Sequence, residues 1–232
     1  MADVRTTMSD ELVQNEMSYQ AMSGEAMHWF RNQTTGYRKL MAYYNCAMME
    51  VTTKLNVLNE EFSLQRDHNP IAGIKNRLKS FYSIQEKLAR RGLPLSTESI
   101  EQNLTDVAGV RVICAFPEDV QMIEDALMKQ DDLVLLQRKD YITKPKANGY
   151  RSLHLIVEVP IHLAREKRRM KVEIQLRTIA MDFWASLEHQ LKYKKNVAEE
   201  EWLLRELREC ADISAQLDHR MDEIRRRLQQ PR

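Results

Sequence analysis

Between Met170 and Arg177, apolar and polar residues alternate without a break: Met170, Val172, Ile174 and Leu176 on one side, Lys171, Glu173, Gln175 and Arg177 on the other. Side chains of a strand point alternately to its two faces, so this segment is apolar on one face and chemically equipped on the other. Such a strand needs a core beneath it and accepts solvent or a ligand above it, a pattern that a purely helical chain leaves unexplained. Leu153, Leu155, Val157 and Val159 alternate likewise with Ser152, His154, Ile156 and Glu158, and the stretch from Pro160 to Arg169 is suited to close the two into an antiparallel pair. Gly109 to Phe116 and Leu133 to Gln137 are shorter apolar runs that read as further strands.

Helical patterns flank this region. Leu40, Tyr44, Val51, Leu55 and Leu58 recur at helical spacing within Tyr37 to Leu64. Asn69-Pro70 marks a break, with Pro70 suited to the first turn of a helix over about Ile71 to Arg91, whose stripe is Ile74, Leu78, Phe81 and Leu88 and whose C-cap signal is Gly92. Thr178 to Lys194 reads as a helix opened by a threonine cap. In the last segment Leu203, Leu207, Cys210, Ser214, Leu217, Met221, Ile224 and Leu228 step by four and three residues, the seam of a coiled coil, which serves packing on the chain's own domain and a subunit contact equally well. The first 35 or so residues are Met-rich and weakly patterned, with Gly24 and Gly36 as interruptions, and read as frayed helix or flexible arm.

The composition narrows the function classes. A chain of 232 residues with 43% hydrophobic and 30% charged residues can bury a core. No apolar run approaches the roughly 18 residues of a membrane span, and no basic-then-apolar leader opens the chain, so a cytoplasmic protein is expected. Cys46, Cys114 and Cys210 are far apart, which argues against a disulfide framework or a metal clip and for buried thiols. The net charge of +1 excludes a molecule-wide field for nucleic acid or anionic membrane, yet basic residues gather at Lys75 to Arg91, Arg138 to Arg151 and Arg165 to Lys171.

Three segments place polar groups where chemistry is possible. Asp106 opens DVAGVRV, at the mouth of a strand, and Glu173 occupies the polar face of VEIQLRT. If those strands are neighbours, two carboxylates converge on a hard cation, and Mg²⁺ is the natural guest. The plainer alternatives are a turn cap for Asp106 and a solvated strand face for Glu173. In NGYRSLH, Asn148-Gly149 supplies a turn, Tyr150 a ring for stacking a base, Arg151 a planar fork for phosphate and His154 a second donor. Stapling a hairpin is the plainer account of Tyr150 and Arg151.

DVAGVRV, NGYRSLH, VEIQLRT and MDFWASLEH, in this order, resemble the RelA/SpoT-type synthetase domain, and the chain is similar to the small alarmone synthetases, on the RelP rather than the RelQ side. The resemblance covers residues 69–195 and implies an α+β fold of nucleotidyltransferase-like type: a mixed, mainly antiparallel sheet of about five strands flanked by helices, with helical extensions at 1–68 and 196–232. It implies transfer of pyrophosphate from ATP to the 3′-hydroxyl of GDP or GTP, making (p)ppGpp in the stringent response, with Mg²⁺ held by Asp106 and Glu173 and with Glu173 as the base. Arg77 and Arg111 match the pair that sandwiches adenine, and Lys87, Arg90 and Arg91 match residues that hold ATP phosphates. Tyr150 matches the guanine-stacking ring; Lys144, Lys146, Asn148, Arg151, His154, Gln175 and Arg177 fall near the bound nucleotides. Asp182, where some relatives have Asn, can accept from guanine N1 and N2 but cannot donate to O6. Glu188, His189 and Lys192 lie on the same helix, and helix packing accounts for them equally.

The same resemblance implies a homotetramer built through terminal helices. Degradation of the product is expected to be absent, because no His is followed directly by Asp. Control by RNA or alarmone stays open. Competing readings are a catalytically inactive nucleotide- or RNA-binding regulator, a nucleotidyltransferase that releases pyrophosphate, and a helical scaffold built on the C-terminal seam.

Overall fold

A computed structural model describes residues 24–65, 68–192 and 200–229 of the chain. Five strands form one sheet in the order β1-β2-β5-β4-β3. They are β1 (Ile71–Leu78), β2 (Ala108–Cys114), β3 (Val134–Asp140), β4 (Leu153–His162) and β5 (Lys167–Thr178). Only β2 and β5 run parallel; the other three pairings are antiparallel. The sheet is therefore mixed and mainly antiparallel, as the strand patterns and the resemblance imply. Six helices accompany it among the described residues: α1 (Gly24–Gln65), α2 (Phe81–Arg90), α3 (Thr97–Asn103), α4 (Pro117–Met128), α5 (Ile179–Lys192) and α6 (Glu200–Gln229).

The chain divides into two compact units, residues 1–43 with 79–104, and residues 44–78 with 105–232. In the first, Tyr37 of α1 meets Phe81 of α2 edge to face, ring centroids 5.3 Å apart. Ser80 and Ser96 cap α2 and α3, each accepting from the backbone N–H three residues on. Gly92, at φ +66, closes α2: its N–H bonds Ala89 and that of Leu93 bonds Leu88, satisfying two terminal carbonyls.

In the second unit the three inner strands bury one face of the sheet. Val110, Val112, Leu155, Val157, Val172, Ile174 and Leu176 are fully buried, and α4 packs against β2 and β5 through a helix whose Val120, Ile123 and Leu127 are buried. Burying each such side chain contributes about 1.5–3 kcal/mol. The hairpin between β4 and β5 pairs Val159 with Met170 and Pro160 with Arg169, the register the alternating patterns require. Thr178 caps α5 as expected, its hydroxyl accepting from Met181 N–H.

Four expectations change. Ile71–Leu78 is an edge strand and not the first half of a helix; Ile71, Ile74 and Leu78 are spaced as a helical stripe, but a bulge between Ile71 and Gly73 sets them opposite Cys114, Val112 and Ala108 of β2, on one face of the sheet. Pro70 accordingly precedes a strand, its carbonyl accepting from Ala115 N–H. Gly36 lies inside α1 without interrupting it, while the arm before residue 24 falls outside the described residues. Of the three cysteines only Cys114 is buried; Cys46 is half-buried and Cys210 exposed, because the face α6 turns inward after Leu207 runs through Ala211, Asp218 and Asp222.

Candidate active site

Register alone assembles one polar face. Lys75 and Arg77 of β1 stand opposite Arg111 and Gly109 of β2, which pair in turn with Gln175 and Glu173 of β5, and His154 of β4 stands opposite Gln175. Residues directly across a ladder share a face, so four strands contribute Lys75, Arg77, Arg111, His154, Glu173, Gln175 and Arg177 to the same side.

Four of these side chains, His154, Glu173, Gln175 and Arg177, close a hydrogen-bonded ring with Tyr150. Arg177 Nη2 donates to the Tyr150 hydroxyl at 2.6 Å and to Gln175 Oε1 at 3.0 Å. The Tyr150 hydroxyl lies 2.8 Å from His154 Nε2, and His154 Nδ1 lies 3.1 Å from Glu173 Oε1. The Gln175 amide donates to Glu173 Oε2 at 2.8 Å. Because a carboxylate only accepts, the proton between His154 and Glu173 sits on Nδ1. Two donor paths thus run from one guanidinium to one carboxylate, and bonds aligned this way reinforce each other. Burial pushes the Glu173 carboxyl up, but the hydrogen bond and charge of His154, with the Gln175 amide, outweigh it and hold the group below the ordinary carboxylate value. The negative charge of Asp106 opposes them, so the two carboxylates share one electrostatic neighbourhood.

A second cluster lies beside the ring. Asp182, buried at the start of α5, pairs at 3.3 Å with each of Lys75, Arg111 and Arg177. Burial, then the charge of Arg177, pulls the Arg111 pKa below its usual value, while Asp182 pulls it back up. Asp182 therefore answers three cations drawn from three strands, a role its place in the sequence does not disclose.

The approach loop carries the third group. Asn148 Oδ1 accepts from Tyr150 N–H, and its amide donates to Glu188 on α5. Lys146 Nζ sits 4.7 Å from the ring centres of both Tyr141 and Tyr150, and Tyr141 also meets His154 edge to face at 5.3 Å. Arg151 is directed elsewhere: it donates to the carbonyls of Gly149 and Ala211 and to Asp212. Lys144 and His189 are exposed. Lys87 and Arg90, in the last turn of α2, and Arg91, which donates to the Asn103 carbonyl, belong to the first compact unit.

Lys75, Tyr141 and Asp212 were not among the residues the sequence singled out. Lys75 and Arg77 flank Asn76 with a strand's period, a signal hidden while the segment reads as helix. Tyr141 and Asp212 meet their partners only through the folded loop and α6.

Asp106 and Glu173 present oxygen donors alone. Mg²⁺ is commonly held by one or two carboxylates together with substrate phosphates, so this pair fits it. Among the described residues no cluster of three or more His, Cys, Asp or Glu side chains offers a richer cage, and no helix is long and apolar enough to cross a membrane.

A family model described as "Region found in RelA / SpoT proteins" matches residues 76–198. The chain is 43% identical over 192 residues to GTP pyrophosphokinase YwaC of Bacillus subtilis (strain 168), covering 83% of this chain and 91% of that protein. Its fold is similar to that of the small alarmone synthetase 1 from Bacillus subtilis bound to its product pppGpp, with TM-score 0.76 and 36% identity over 84% of this chain and 99% of the other. For small alarmone synthetase 2 from the same organism the TM-score is 0.75 and the identity 42%, covering 82% and 98%.

Proposed function

The chain belongs to the RelA/SpoT family, and we propose that it is a small alarmone synthetase, a GTP pyrophosphokinase that moves the β,γ-pyrophosphate of ATP to the 3′-hydroxyl of GDP or GTP. The products are AMP and ppGpp or pppGpp. The observation that carries the reading is the convergence of two hydrogen-bond paths on Glu173, beside Asp106 and on the same face as Lys75, Arg77, Arg111 and Arg177.

The reaction asks for positioning, charge neutralisation and removal of one proton. The acceptor 3′-oxygen forms a bond to the β-phosphorus, the bond from that phosphorus to the α–β bridging oxygen breaks, and AMP leaves with the electron pair. Glu173, ionised, takes the hydroxyl proton, and His154 and Gln175 hold its two oxygens in place. Arg77 and Arg111 stack the adenine, Tyr150 stacks the guanine, and Lys144, Lys146, Asn148, His154, Gln175 and Arg177 line the acceptor and its phosphates. Lys87, Arg90 and Arg91 serve the ATP phosphates. Mg²⁺ held by Asp106 and Glu173 would neutralise phosphate charge when bound.

Assembly is part of the proposal. Ile179, Phe183, Leu187 and Leu191 on α5 and Ile213, Leu217, Met221, Ile224 and Leu228 on α6 are all exposed. Two apolar rows of this length fit a homotetramer built on these helices. A monomer by light scattering at micromolar concentration would refute it.

Incubation with labelled ATP, GDP and Mg²⁺ tests the reaction. AMP with ppGpp is expected. Release of free pyrophosphate would point to nucleotidyl transfer, and no product to a binding regulator.

A further inference from the structure

The turn that carries Tyr150 is fastened to the C-terminal helix at three points. Gly149 has φ +88, and a Cβ there would lie 2.5 Å from the Ala211 Cβ and 3.3 Å from Arg208 Cα, so the turn rests directly on the α6 backbone. Arg151 Nη1 donates at 3.2 Å to the carbonyls of Gly149 and Ala211, and Nη2 donates at 2.9 Å to Asp212 Oδ1. Tyr150 packs against the cluster of Trp184, Ala185, Leu203, Leu207 and Ala211, inside which the Trp184 indole donates to the Leu207 carbonyl.

We propose that Asp212, acting through Arg151, is a positioning residue for the acceptor nucleotide: the pair latches the Tyr150 turn to α6, so that this helix is part of the active site. The proposal rests on the reading of Tyr150 as the acceptor's stacking ring. The chemistry of Arg151 carries it. Three of its donor contacts are taken by groups of the turn and of α6, leaving its planar fork directed at the helix. A guanidinium that bridges two backbone carbonyls and a carboxylate fixes relative position, and the ring it fixes is the one whose hydroxyl closes the hydrogen-bonded circuit to Glu173. The family resemblance places Arg151 near the phosphates, and the two roles make different predictions for Asp212.

Charge exchange separates them. Asp212→Arg and Arg151→Glu, each in the full chain, should raise the acceptor KM by about three- to five-fold or more, the scale of an ion pair with one half-exposed partner. The KM for ATP should stay unchanged, and the amides of residues 146–151 should exchange faster with solvent. The double variant should restore both readouts in part, through the exchanged ion pair alone, because a carboxylate at 151 cannot donate to the Gly149 and Ala211 carbonyls; Asp212→Asn, the gentler change, should move them in the same direction as Asp212→Arg by less. Wild-type acceptor KM and loop exchange in Asp212→Arg, with acceptor binding lost in Arg151→Glu, would mean that Arg151 grips the nucleotide itself, and the latch would be overturned. Failure of the double variant to recover would overturn it too. If the unaltered protein made no alarmone, the functional reading would fall, and loop exchange in the same variants would decide for or against the latch.

Discussion

His154 connects Glu173 to Tyr150: Nδ1 lies 3.1 Å from the Glu173 carboxylate and Nε2 lies 2.8 Å from the Tyr150 hydroxyl. One imidazole thus sets the orientation of both the proposed base and the proposed stacking ring. His154→Ala removes one of the two donor paths to Glu173. A hydrogen bond to a charged group contributes about 1.5–3 kcal/mol, so kcat should fall by roughly ten- to a hundred-fold. The KM for ATP should stay near its wild-type value. Steady-state kinetics with each substrate varied in turn checks this, and an unchanged kcat would remove His154 from the chemistry.

Asp106→Ala and Glu173→Ala should abolish synthesis, with a loss of at least about a thousand-fold, since each removes an anchor for phosphate-neutralising charge and one removes the base as well. Both should keep the native circular dichroism spectrum, because the apolar core lies on the opposite face of the sheet from Glu173. Product formation from labelled ATP and GDP is the readout. Normal turnover in either variant would dispose of the carboxylate pair as a metal site.

Asp182 balances Lys75, Arg111 and Arg177, and its removal leaves three cations of like sign close together. Taking away one member of a buried charge pair typically costs about 3–5 kcal/mol. Lys75 is well exposed, so the lower end applies, and for a chain of this size Asp182→Ala should lower the melting temperature by roughly 6–12 °C. ATP should recover more stability in this variant than in wild type, because its polyphosphate supplies the missing negative charge. Thermal melts with and without ATP give the comparison, and a wild-type melting temperature in Asp182→Ala would contradict the account.

Much of the sheet was legible because β5 alternates buried with half-buried positions from Met170 to Leu176, as burial on one face requires. Gly92 and Thr178 were legible as caps because their roles depend on local backbone alone. Strand β1 was hidden: Ile71, Ile74 and Leu78 are spaced as a helical stripe, and they share one strand face only through the bulge between Ile71 and Gly73, which pairing with β2 reveals. Only the first part of the α6 seam packs on the chain's own domain. Leu203 and Leu207 pack inward, but the inward face then passes through Ala211, Asp218 and Asp222, since a straight helix drifts away from a 3.5-residue repeat and carries Leu217, Met221 and Ile224 to the surface. Within the site, residue types and motif order pointed to Glu173, Tyr150 and Arg177. The partners of Asp182 and Arg151 were not readable, because those contacts span strands and helices far apart in the chain.

Asp218 offers a test by pH. It lies buried on α6 and accepts from the Thr178 hydroxyl at 2.6 Å. Burial raises its pKa above the ordinary aspartate value; the Thr178 bond and the charge of His219 pull it down, and Asp222 pushes it up again. A carboxyl whose folded-state pKa exceeds its unfolded value holds more protons in the native state within that window. Stability therefore declines as pH rises through it, and above the folded pKa the ionised group remains a standing cost. Below the unfolded value both states are protonated and the cost vanishes. Asp218→Asn keeps an oxygen for Thr178 and cannot ionise, so it should melt at higher temperature than wild type at neutral pH. That advantage should shrink on acidification through the range where an ordinary aspartate takes up its proton. Melting curves of both proteins across this range decide the matter: a lower melting temperature for Asp218→Asn at neutral pH, or a gain that ignores pH, would show that the buried charge is compensated by its surroundings.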